Sequence, residues 1–87
     1  MKKQFTIVNR LGLHARAAAQ LVQTANRYHA DVTVIKDGVV VNGKSIMGIL
    51  MLAAPKGSQI EVEVTGAEME QAMIAITELI ENGFGED

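Results

Sequence analysis

His14 and Arg16 stand two residues apart in the stretch Gly12-Leu13-His14-Ala15-Arg16, where an apolar strand pattern gives way to a helical one. At a helix start several backbone N–H groups lack intrahelical partners. Those donors and the positive end of the helix dipole favour an anion, and phosphate is an anion commonly held in this way. Arg16 adds a planar, permanently charged fork suited to phosphate oxygens. A nucleophilic imidazole, an anion cradle and a clamp thus fall within three residues, and the expectation is that a phosphate group becomes bonded to His14 itself. Gly12 permits an unusual backbone angle just before the histidine. Ala17 continues the helix start and contributes another of its free N–H groups.

What is missing from the sequence narrows the chemistry. It has no glycine-rich nucleotide loop of the GxxxxGK[ST] type and no cysteine, and its two histidines are isolated, so neither a nucleotide pocket nor a metal set is expected. No base and no second nucleophile adjoins His14. A histidine that cannot draw phosphate from a bound nucleotide must receive it from one partner and yield it to another. The pattern predicts a carrier, with no cofactor and no metal.

The chain of 87 residues has room for one domain, 1–87. Its hydrophobic share of 48% supports one core, which with only 3% aromatic residues must be built from Ile, Val, Leu, Met and Ala. The net charge of −2, with eight basic and ten acidic residues intermixed, argues against nucleic acid, which requires a basic face. Apolar runs fall short of the ~20 residues needed to span a bilayer, and the N-terminal residues do not form a signal peptide. A cytoplasmic monomer without membrane insertion is the expectation.

The elements that must hold His14 follow from periodicity. Gln4 to Val8 reads as a strand, with Phe5, Ile7 and Leu11 on the buried side. From Ala15 to about Tyr28 the residues Ala18, Leu21, Val22, Ala25 and Tyr28 recur on one helical face, opposite Arg16, Gln20, Gln23 and Arg27. His29, at the far end, reads as a surface residue. Asp31 to Lys36 and Val39 to Val41 are strands joined by an Asp37-Gly38 hairpin. Ser45 is placed as the N-cap of a short helix, Ile46 to Leu52. Gln59 to Thr65 alternates strictly, with Ile60, Val62 and Val64 inward. Thr65-Gly66-Ala67-Glu68 has capping-box spacing ahead of a helix whose stripe is Met69, Ala72, Met73, Ile76 and Ile80, closed by Gly83. The order β-α-β-β-α-β-α predicts an open-faced two-layer α+β sandwich: a four-stranded antiparallel sheet covered on one face by three helices.

The second helix is apolar on nearly every side, and about two turns can bury only one stripe. Ile46, Met47, Leu50 and Met51 are therefore the candidate partner-binding residues, and methionine adapts to more than one partner surface. A phosphoserine at Ser45 would meet free N–H groups at the helix start, yet set about two negative charges beside that apolar patch.

The two stretches Gly12-Leu13-His14-Ala15-Arg16 and Asn42-Gly43-Lys44-Ser45-Ile46-Met47-Gly48, with the length and element order, resemble the HPr family, the histidine-containing phosphocarriers of the bacterial phosphoenolpyruvate-dependent phosphotransferase system. The resemblance implies that His14 accepts the phosphoryl group on Nδ1 from enzyme I and passes it to an enzyme IIA domain. It implies Arg16 as the phosphate-site arginine, and Ser45 as the position modified by HPr kinase/phosphorylase, with a transcriptional regulator as a further partner. It also implies docking through the first two helices. One residue departs from the pattern: the family usually has proline after the arginine, where this chain has Ala17. Three other readings stay open: a regulatory homologue acting through phospho-Ser45, a nitrogen-branch carrier, and a small-molecule-binding module, although the sequence offers no convergent polar set for the last.

Overall fold

The computed structural model describes residues 1–86. Four strands, β1 (Lys2–Thr6), β2 (Asp31–Lys36), β3 (Val39–Asn42) and β4 (Gln59–Thr65), alternate with the helices α1 (Ala15–Asn26), α2 (Ile46–Met51) and α3 (Met69–Glu81), followed by a single 3-10 turn over Gly83–Gly85. The strands form one antiparallel sheet in the order β1-β4-β2-β3. The sheet is open and its helices lie on one face, the predicted architecture.

The core is mainly aliphatic, as the scarcity of aromatic residues required, with Phe5 and Phe84 the two aromatic side chains in it. Phe5, Val32, Val34, Ile60, Val62 and Val64 point inward from the sheet, and Ala18, Leu21, Ala25, Ala72, Met73, Ile76 and Ile80 meet them from α1 and α3. On β4 the inward residues are fully buried and the intervening Glu61 and Glu63 are half-buried on the open face, the alternation of a one-sided sheet. The Asp37-Gly38 hairpin takes φ of +50° and +80° at its two central residues, as a twisted two-residue hairpin demands.

Four local expectations are corrected. The first strand lies two residues earlier than Gln4–Val8. Lys2 and Lys3 pair with Glu63 and Val62, Lys2 forms an ion pair with Glu63 at 3.3 Å, and the Lys3 ammonium lies 5.2 Å from the centre of the Phe5 ring. Leu11 is 57% exposed, because the inward alternation of Phe5 and Ile7 is continued by Asn9, which is 1% exposed, and the chain then turns through a Gly12 N–H to Asn9 C=O bond. The capping box does not form. The Glu68 carboxylate instead accepts the backbone N–H of His29 at 2.7 Å, fastening the start of α3 to the segment after α1. Finally, α1 ends at Asn26 rather than Tyr28, although Tyr28 still packs against the core.

Candidate phosphoryl-carrier site

The loop before α1 is held by backbone contacts that leave little room for side chains. Gly12 has φ +67°, and a Cβ there would lie 2.4 Å from the Ala54 carbonyl oxygen and 2.8 Å from Pro55 Cα. The Leu13 N–H donates to that same Ala54 carbonyl at 2.9 Å. Any other residue at position 12 would meet both a backbone clash and a left-handed φ. The loop carrying His14 is thus fastened to the segment that leaves α2.

His14 is the N-cap of α1, in extended conformation, and its side chain makes no capping bond. The first helical bond runs from the Ala18 N–H to the His14 carbonyl at 2.8 Å, so the N–H groups of Ala15, Arg16 and Ala17 precede the helical ladder. With His14, Arg16, Gln20, Arg10 and Leu11, the 3-10 turn lines a cleft of about 440 Å³. Arg16 is exposed there and forms no ion pair among the described residues. Gln20, one turn further along α1, has a buried Oε1 without a partner among the described residues. Ala17 is fully buried, its methyl group in the core. The structure therefore brings His14, Arg16 and the start of α1 together, as the spacing predicted.

Sequence reasoning missed the residue closest to the imidazole. Glu86 Oε2 lies 2.5 Å from His14 Nε2, a contact between residues 72 positions apart. Its other oxygen, Oε1, accepts from Asn9 Nδ2 at 3.0 Å, and the same Nδ2 donates to the Gly12 carbonyl at 2.8 Å. Glu86 reaches the site because Phe84 anchors the turn before it: Phe84 is 2% exposed and adopts φ +58° between two glycines. The hydrogen bonds from Asn9 and then His14 hold the Glu86 carboxyl below its ordinary range, aided by the nearby charges of His14 and Arg16 and opposed by partial desolvation. The signal that could have found this contact is Gly83-Phe84-Gly85 itself, an aromatic residue flanked by glycines just past a helix end. A carboxylate at Nε2 gives the neutral ring a reason to keep its proton there, leaving the lone pair on Nδ1.

Ser45 is the N-cap of α2 as predicted, its Oγ accepting the Gly48 N–H at 3.1 Å. Of the α2 side chains only Ile49 is fully buried. Met47 and Met51 are 71% and 72% exposed, with Ile46 and Leu50 also open to solvent. One stripe is thus buried and the expected apolar residues face outward. Among the described residues there is no cluster suited to a metal ion, and no helix is long and apolar enough to cross a membrane.

Comparison with known proteins converges with this geometry. The family model described as the PTS HPr component phosphorylation site matches residues 1–82. The phosphocarrier protein HPr of Neisseria meningitidis is 51% identical over 86 residues, covering 99% of this chain and 97% of its own, and that of Xylella fastidiosa (strain Temecula1) is 46% identical over 87 residues, covering 100% and 98%. Among solved structures, HPr-C-His from Thermoanaerobacter tengcongensis superposes with a TM-score of 0.96 at 41% identity, covering 100% of this chain and 98% of that one. The phosphocarrier HPr from Bacillus anthracis gives 0.88 at 44% identity, with coverages of 92% and 95%. A helix start whose first N–H groups and whose neighbouring arginine have no side-chain partner among the described residues, with a histidine at its N-cap, suits a protein carrying phosphate on histidine, and the chain belongs to the HPr family of phosphocarrier proteins of the phosphotransferase system.

Proposed function

We propose that this chain, acting as one domain over residues 1–87, accepts a phosphoryl group on His14 Nδ1 from phosphorylated enzyme I and delivers it to an enzyme IIA domain in sugar uptake and its regulation. The observation that carries this reading is the Glu86 carboxylate at His14 Nε2. With the ring proton kept on Nε2, the Nδ1 lone pair attacks phosphorus while the bond from phosphorus to the donor breaks, and no proton has to leave the attacking atom. The attack leaves positive charge on the ring, which the carboxylate offsets as the buried aspartate does in a serine-protease triad. The added phosphate charge is met by Arg16 and by the N–H groups of Ala15, Arg16 and Ala17. The chain is a carrier rather than an enzyme, since the group it takes up is passed on intact. It works in the cytoplasm as a monomer.

Docking falls to the outward face of α2, through Ile46, Met47, Leu50 and Met51, beside the loop that carries His14. Exposed methionines suit a surface that serves enzyme I and several acceptors in turn. Ser45 serves as a brake. Phosphorylated by HPr kinase/phosphorylase, it would set negative charge at the edge of this apolar face and weaken docking of an acidic partner while leaving the fold in place. A transcriptional regulator is the partner of that modified form.

The test is incubation with phosphoenolpyruvate and enzyme I. Acid-labile label that is abolished in His14→Ala supports the carrier. Acid-stable label that requires ATP and Ser45, with none on His14, makes the chain a regulatory homologue instead. The relative Crh of Bacillus subtilis, described as the catabolite repression HPr and 35% identical, gives that outcome a place in the test.

A further inference from the structure

We propose that Asn9 is a positioning residue for His14: its side-chain amide ties the turn that leads into the histidine to the carboxylate that meets the ring. Asn9 is 1% exposed, one of two buried polar side chains among the described residues, and it belongs to no regular element. Its Nδ2 has two hydrogens, and both are used. One goes to the Gly12 carbonyl at 2.8 Å, the other to Glu86 Oε1 at 3.0 Å. Both partners are acceptors only, so the amino group and not the carbonyl of the amide must face them.

The consequence reaches the ring through Glu86. One carboxylate oxygen is held by Asn9, and the other is thereby aimed at His14 Nε2. Without Asn9 the carboxylate, on the last turn of the described chain and carried by a flexible side chain, is free to rotate into the cleft. Aspartate at position 9 would place oxygen against oxygen at both contacts. The depressed Glu86 carboxyl, whose foremost cause is this hydrogen bond, agrees with the geometry. Asn9 makes no hydrogen bond to the ring and does not line the cleft beside it, so its effect on His14 passes through Glu86.

The kinetic half of this inference rests on the reading of His14 as phosphoryl acceptor, whereas the tautomer half does not. The test uses the full chain with 15N-labelled histidine, in alkaline solution, and reads the Nδ1 and Nε2 shifts for the tautomer ratio. In the unsubstituted chain the form protonated on Nε2 dominates. Asn9→Ala moves the ratio toward the Nδ1-protonated form by about 2- to 10-fold, the equivalent of one hydrogen bond, and slows phosphoryl acceptance from enzyme I by a similar factor. In a Glu86→Ala background the ratio has already moved, and adding Asn9→Ala changes it no further.

A role confined to stabilising the loop predicts a lower melting temperature with an unmoved tautomer ratio, and that result overturns the proposal. So does an equal shift on adding Asn9→Ala in the absence of Glu86. Should Asn9→Ala fail to fold, Asn9→Ser, which keeps one donor, replaces it with the same readouts. A moved ratio with unchanged acceptance refutes the kinetic half. If the unsubstituted chain takes up no phosphoryl group at all, the functional reading fails, and the tautomer ratio alone decides the case for Asn9.

Discussion

Two helix starts in this chain look alike in sequence and differ in what they leave open. At α2 the Ser45 hydroxyl accepts the Gly48 N–H at 3.1 Å, so the cap is closed by its own residue. At α1 the cap is His14, whose side chain makes no capping bond and turns instead to Glu86, leaving the first N–H groups without side-chain partners among the described residues. The first arrangement stabilises a helix; the second gives up that stabilisation, and its donors are those to which the proposed function assigns the phosphate. Surroundings sharpen the contrast. The α1 start lies in a cleft with an arginine and a buried polar network, whereas α2 presents exposed methionines and aliphatic side chains. On the proposed function chemistry falls to the first start and docking to the helix that follows the second, and the Leu13 to Ala54 hydrogen bond fastens the loop before α1 to the segment that leaves α2.

The comparison is broken most directly at Arg16. Arg16→Ala removes the charged fork from the α1 start without disturbing the core, and phosphoryl acceptance is expected to fall about 10- to 100-fold, the worth of one charge-assisted contact of ~1.5–3 kcal/mol. Single-turnover transfer from phosphorylated enzyme I measures it, and a loss below twofold would remove Arg16 from the anion site. Next in size is Met47→Asp on the outward face of α2. It should weaken the dissociation constant for enzyme I by about 10-fold, in the range of a docking residue worth ~1–2 kcal/mol, with an unchanged melting curve. Calorimetric titration that finds equal affinity would move docking away from α2.

Ser45→Ala sharpens the contrast from the side of stability. It should cost about 1 kcal/mol in denaturant unfolding, the usual penalty for a lost N-cap, and leave the rate at His14 unaltered. A rate change would mean that the two helix starts are coupled more tightly than their hydrogen bonds indicate. The smallest effect is expected for Ala17→Pro. The first helical bond belongs to Ala18, so proline at 17 removes no ladder bond, and the N–H groups of Ala15 and Arg16 remain for the anion. Transfer should stay within about twofold. A large loss would show that the Ala17 N–H is not interchangeable with its neighbours.

Much of this molecule was legible in the chain alone, because local chemistry decides it. Strict alternation over Gln59–Thr65 fixed the face of β4, Asp37-Gly38 fixed the hairpin, Ser45 fixed the start of α2, and the lack of room to bury every side of a short helix exposed Met47 and Met51. His14 and Arg16 are neighbours in sequence, so their meeting required no tertiary knowledge. The tertiary structure decided what depends on distant partners. Leu11 continued the apolar pattern, yet Asn9 took the inward place because its amide finds acceptors there that no local rule reveals. Glu68 had capping-box spacing, but the His29 N–H offered it a better partner across the fold. Glu86 lay 72 residues from His14 and met it only because Phe84 enters the core and carries the chain back to the start of α1. Sequence spacing singled out His14 as the proposed phosphoryl acceptor. Packing of the last turn brought a carboxylate to Nε2, and an acceptor at one ring nitrogen favours the tautomer with its proton there, which on the proposed function leaves Nδ1 for the phosphoryl group.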